Sequence, residues 1–160
     1  MLETAQINRF LIHIVSGAAL LLSCACCRSD KGSAASSTEP ALFHEAPSFK
    51  LTIEQVGSYE IGKEGTALVR LASKGDYKIN REYPFRFECL ESARDGVSYP
   101  KPSLRLDDGK LEEREAVFSV PFVSQRSGTV RVGGELALSV CNEMNCVTDR
   151  RVVVVDVVVR

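Results

Sequence analysis

GTVRVGGELALSVCNEMNCVTDRRVVVVDVVV, residues 128–159, is the stretch whose reading decides the fold. Residues 129–132, 135–140 and 151–159 are runs rich in valine, leucine and other strand formers. The Gly133-Gly134 pair separates the first two, and Cys141-Asn142-Glu143-Met144-Asn145-Cys146 separates the second from the third. Apolar runs of this length between turn residues predict strands. The last run, VVVVDVVV, is nearly continuous in valine, which predicts a strand covered on both faces. Asp156 interrupts it and must find a hydrogen-bond partner or point outward, because an unpaired buried carboxylate is costly.

Working outward, the same signals recur toward the N-terminus. Residues 49–53 (FKLTI) and 85–90 (FRFECL) alternate apolar and polar, as half-buried strands do. Residues 66–71 and 116–123 read as further strands, and Leu104 and Leu106 bracket Arg105 before an Asp107-Asp108-Gly109 turn. Gly62, Gly65, Gly75, Gly96, Gly109 and Gly128 punctuate the series. Pro84 and Pro121 fall at strand starts or edges, where a missing N–H does least harm. Seven or eight short strands without a helical period predict an all-β chain, a sandwich of two antiparallel sheets.

The composition narrows function. Twenty basic residues against 21 acidic ones leave a net charge of −1, so no electrostatic footprint for nucleic acid is present. Only His13 and His44 are available to a histidine-based catalytic or metal centre, and His44 is expected to be a solvated loop residue. No nucleophile elbow and no His-Glu zinc pattern appears. Glu112 and Glu113 read as a solvated turn, and Arg150 and Arg151 as solvated charges flanking the last strand. No cofactor and no metal is expected.

Residues 10–23 (FLIHIVSGAALLLS) are a 14-residue apolar stretch preceded by Arg9, whose charge Glu3 offsets. A spanning helix needs roughly 20 apolar residues, so this length fits a signal-peptide core. Leu21-Leu22-Ser23-Cys24 resembles the lipobox of bacterial lipoprotein signal peptides, which implies that Cys24 is lipidated and becomes the first mature residue. Cys26 and Cys27 lack a leucine three positions upstream. The alternatives are a secretory signal cleaved after Ala25, or an uncleaved anchor. Residues 28–47, dominated by serine, alanine, glycine and proline, read as a flexible tether. The expected organisation is a signal peptide over 1–23, a tether over 24–47 and a β-sandwich over 48–160. The expected location is the periplasmic side of the bacterial envelope, with the chain held to a membrane by its lipid.

Export would place the chain in an oxidising compartment, where thiol pairs oxidise. A hairpin with a four-residue connection brings Cys141 and Cys146 to within about 5.5 Å between Cα atoms, the usual disulfide separation. Zinc would need two further ligands that the neighbouring sequence lacks. As a staple the bond closes a very short loop, the kind that contributes least in the chain-entropy model. As a redox centre it would stand at a hairpin tip open to an attacking thiolate. Both readings stay open on the residues alone. Cys89, between Glu88 and Leu90 in a strand pattern, is expected to be a small buried apolar residue.

Residues 128–132 and 136–141, followed by Cys146, resemble the periplasmic N-terminal domain of the thiol:disulfide interchange protein DsbD. Lys74-Gly75-Asp76-Tyr77-Lys78-Ile79-Asn80 resembles that family's glycine–tyrosine segment, and 117–123 its apolar strand. The resemblance covers roughly residues 49–159. It implies an immunoglobulin-like sandwich in which Cys141 and Cys146 are the redox pair, with Tyr77, Tyr83 or Phe85 as the aromatic cap over them. It also implies a membrane thiol reductase or a thioredoxin-like protein as partner. The alternative function is a non-catalytic envelope lipoprotein that binds other proteins and uses the disulfide structurally.

Overall fold

The structure, a computed structural model, describes residues 41–91 and 96–160. The expected signal peptide, Cys24, Cys26, Cys27 and most of the tether lie outside the described residues. Eleven strands are described: β1 (Phe43–Glu45), β2 (Phe49–Gln55), β3 (Glu64–Ser73), β4 (Lys78–Ile79), β5 (Arg86–Cys89), β6 (Val97–Ser98), β7 (Ser103–Arg105), β8 (Gly109–Leu111), β9 (Glu115–Ser124), β10 (Gly128–Cys141) and β11 (Cys146–Val159). One sheet runs β1-β2-β3-β9-β6 with β8 also on β9; the other runs β11-β10-β5-β7 with β4 also on β10. Every named pairing is antiparallel. The chain is an immunoglobulin-like β-sandwich with more strands than the seven or eight expected, several of them two- or three-residue pieces beside main strands of up to 14 residues.

Period-two alternation puts the apolar side chains between the sheets. In β2, Phe49, Leu51 and Ile53 are buried while Lys50 is exposed. Ala116, Phe118, Val120 and Phe122 do the same in β9. They meet Phe87 of β5, Leu136, Leu138 and Val140 of β10, and Val153, Val155 and Val157 of β11 in one core.

Several expectations change. Gly133-Gly134 is no turn: β10 runs through it for 14 residues and pairs β11 along its whole length, Gly128 opposite Val159 and Cys141 opposite Cys146. The glycines are there for close approach. A Cβ on Gly134 would lie 2.3 Å from the Glu88 carbonyl oxygen and 2.6 Å from Phe87 Cζ. β11 begins at Cys146 rather than at 151. Leu106 leaves the expected strand and opens a 3-10 turn, Leu106–Asp108, because the Asp108 carboxylate accepts the Arg105 N–H and closes it.

β11 is an edge strand, and its outer face is open toward its end, so the valine run is not covered on both faces throughout: Val157 and Val159 are buried while Val158 is 57% exposed. Asp156 points outward and accepts a hydrogen bond from Nε of Arg131, its partner across the ladder, at 3.0 Å. The free side of β11 is partly occupied. The Val154 N–H donates to the Ala41 carbonyl at 2.9 Å, the Arg160 N–H donates to that of Tyr59 at 3.0 Å, and the Arg150 N–H donates to the Asp149 carboxylate at 2.8 Å. Residues 43–45, expected in the tether, form β1, and His44 is not a solvated loop residue. It is half-buried, with Nε2 2.8 Å from the Val152 carbonyl.

Tyr99 links the two sheets. Its buried hydroxyl accepts the Gly133 N–H at 3.1 Å and donates to the Gly133 carbonyl at 3.3 Å. Tyr99→Phe would strand the Gly133 N–H in the core, while the Gly133 carbonyl keeps the Leu90 N–H at 2.9 Å, so it is expected to cost about 1–3 kcal/mol in urea unfolding with an unchanged m-value. A loss below a few tenths would show that Gly133 finds other partners.

Candidate functional site

The β10–β11 register sets the site. The Asn142 N–H donates to the Asn145 carbonyl at 2.9 Å, which makes 142/145 a hydrogen-bonded pair. The next pair inward, Cys141/Cys146, is then of the non-hydrogen-bonded type, in which Cα atoms approach and side chains meet. The two cysteines form a disulfide with Cα atoms 4.0 Å apart. Val140 is buried and Val147 packs on the core, so the alternation turns both cysteines to the outer face of the sheet. Unlike the inter-sheet disulfide of antibody domains, this one lies within a single sheet and faces solvent. Cys141 is half-buried and Cys146 exposed.

The hairpin tip is also held without the sulfurs. Asn142 Oδ1 accepts the N–H groups of Met144 at 3.0 Å and Asn145 at 2.9 Å, closing the loop as an Asx turn. The loop after β3 grips it from the side. Tyr77 Oη donates to Asn145 Oδ1 at 3.1 Å, and Asn142 Nδ2 donates to the Asp76 carboxylate at 3.0 Å. β4 adds ladder pairing to the last turn of β10, Ile79 opposite Val140 and Lys78 opposite Cys141.

Beside the disulfide lies an open depression of about 830 Å³, whose lining includes Cys141, Asn142, Lys78, Arg81, Glu82 and Arg114. Lys78 Nζ is 2.6 Å from Glu113 Oε1. That hydrogen bond and the ammonium charge hold the Glu113 carboxyl below the usual carboxylate range. The Arg114 guanidinium donates to the Gly75 carbonyl.

Of the three aromatic residues expected as a cap, only Tyr77 makes a hydrogen bond to the cysteine loop. Tyr83 and Phe85 pack edge to face with ring centroids 5.6 Å apart. Phe85 is buried in the core with Tyr83 packed against it, and both line a different depression. Both stand in the bend that precedes β5 and pack with the core rather than over the disulfide.

Cys89, half-buried, is the free cysteine among the described residues. It stands opposite Gly134, seven residues along β10 from Cys141, or about 24 Å at strand spacing. It is no resolving thiol for the disulfide. Burial, reinforced by the charges of Glu88 and Glu91, pushes its thiol up to about 12. Lys78 was missed by the sequence reading, because nothing in a two-residue strand signals which cysteine it faces.

Among the described residues no group of three or more His, Cys, Asp or Glu is placed to hold a metal ion. No helix among them is long and apolar enough to cross a membrane. No protein-family model matches the chain, and a search of curated proteins finds no match. Solved structures similar to it include AggA, the major subunit of aggregative adherence fimbriae type I from Escherichia coli, at 10% identity and TM-score 0.36, covering 73% of this chain and 99% of that one. Another is the ASH/PapD-like domain 7 of human CEP192, at 12% identity and TM-score 0.32, covering 73% of this chain and 91% of that one. Nothing about activity or partners follows from likeness at this level.

Proposed function

We propose that this protein is an exported, lipid-anchored β-sandwich of the bacterial envelope that exchanges its Cys141–Cys146 disulfide with a partner dithiol. The partner would be a membrane thiol reductase or a thioredoxin-like protein on the same side of the membrane. One observation carries the reading: a solvent-facing disulfide on a tip that backbone, Asx and side-chain hydrogen bonds already hold in place. A bond closing six residues contributes about 2 kcal/mol at most by loop entropy. The hydrogen bonds that order the tip do not involve the sulfurs, so they remain to hold its shape when the bond opens.

The step balances simply. A partner thiolate attacks Cys146 Sγ, the more accessible sulfur; the new S–S bond forms, the Cys141–Cys146 bond breaks, and its electron pair leaves on Cys141 Sγ. A second partner thiolate then displaces Cys146, leaving the partner oxidised and this chain with two thiols.

The test is the reduction potential of the pair in glutathione or dithiothreitol buffers. A value more oxidising than about −300 mV is expected, together with a mixed disulfide on Cys146, Cys141 leaving as the thiol, when the oxidised chain is mixed with a reduced thioredoxin-like protein whose second active-site cysteine is replaced by alanine. A potential well below that mark, with no trapped adduct, assigns the bond a structural role.

A further inference from the structure

β4, β10 and β11 set three side chains in a row across the outer face of the sheet: Lys78 opposite Cys141, and Cys141 opposite Cys146. Directly opposed residues project to the same face with Cβ atoms about 5 Å apart. The lysine stem is long enough to carry its ammonium either to Glu113, where it sits with the disulfide closed, or over the sulfur of Cys141. Lys78 and Cys141 line the same depression.

We propose that Lys78 is the charge partner of the Cys141 thiolate released when the disulfide opens, and that Glu113 is the counter-ion which holds the ammonium until then. The purpose of this device rests on the exchange reading; the charge coupling itself belongs to the reduced hairpin and needs no partner. With the disulfide closed, the sulfur of Cys141 carries no charge and the Lys78–Glu113 pair is the better contact. When the S–S electron pair leaves on Cys141, an anion appears next to an ammonium that one carboxylate already holds. A nearby cation favours the charged form of a thiol, and a better-stabilised thiolate leaves faster. The other charges bordering the site are Asp76, Arg81 and Glu82 from the β3–β5 segment, Arg114 beside Glu113, and Glu143 in the hairpin loop. Three of these are acidic and two basic, so Lys78 is set apart by register: it is the cation placed directly opposite Cys141.

The experiment follows iodoacetamide alkylation of the reduced full-length chain against pH, read peptide by peptide by mass spectrometry. Cleavage at Glu143 or Met144 separates the two cysteines. For Lys78→Gln, the Cys141 profile is expected to move up by about half a pH unit, about threefold less thiolate near neutrality. Glu113→Gln should move it down, and Lys78→Arg should leave it near the parent. Cys89 alkylation serves as the reporter of an intact fold; if Lys78→Gln speeds it, the Glu113→Gln shift decides. A Cys141 profile that ignores both substitutions, or one that Lys78→Arg disturbs as much as Lys78→Gln, overturns the proposal. Neither result bears on whether a partner exchanges with Cys146, which the reduction potential and the trapped adduct decide separately.

Discussion

Gly134→Val is expected to cost more than about 3 kcal/mol and to lower the melting temperature by more than about 10 °C, or to prevent folding. The reason lies in what surrounds the missing side chain. β10 passes between β5 and β11, and a single Cβ on Gly134 would already stand 2.3 Å from a carbonyl oxygen of β5 and 2.6 Å from the buried ring of Phe87. Backbone cannot step aside, and Phe87 is fully buried in the core, so overpacking strain spreads into both sheets. Gly57→Ala is the control. That glycine has a φ of +84° with nothing within 4 Å of its Cβ position, so only the left-handed backbone resists, at about 1 kcal/mol. Equal losses at the two sites in calorimetry would mean that contact around Gly134 is not what excludes a side chain.

Cys89 is expected to alkylate about a thousandfold more slowly at pH 8 in the folded chain than in urea. Burial, with Glu88 and Glu91 adding repulsion, carries its thiol from an ordinary 9.0 to about 12. Three units remove about three powers of ten of thiolate. Folding therefore favours the neutral thiol. The stability this contributes is complete below the unfolded value near 9 and is lost as pH rises from there toward 12. Cys89→Ala should accordingly flatten the alkaline limb of the stability curve. Alkylation rates within tenfold of the unfolded chain would show that the site is open to water.

The fold was legible because alternation is a short-range signal. Residues 49–53, 66–71 and 116–123 declare their buried faces without reference to anything distant, and each is a strand in place. The Cys141–Cys146 connection was legible for a similar reason, since a four-residue hairpin loop fixes its own register. What escaped depends on partners remote in sequence. Gly133-Gly134 has turn chemistry locally, and only the closeness of Glu88, Phe87 and Val153 shows that it needs bare backbone in mid-strand. Phe43–Glu45 has too little apolar periodicity to stand out from a tether; pairing with β2 makes it a strand. Valine-rich residues 152–159 signal burial on both sides, yet the outer face of the sheet is open where Thr129 pairs with Val158, which leaves Val158 in water. Lys78 became part of the site through a register between strands more than 60 residues apart.

The small contact between the Arg150 N–H and the carboxylate of Asp149 has a consequence for life in a crowded compartment. An exposed outer strand of 14 residues is a template on which a stray extended chain can grow a new strand. Here that template is interrupted along its length: at Arg150 by a neighbouring side chain, at Val154 by Ala41 and past Val159 by Tyr59. Each break removes a donor that an incoming chain would need in sequence. The domain can thus present its sulfurs to other molecules at one end of β11 while the remainder of that strand resists the self-association that leads to fibres.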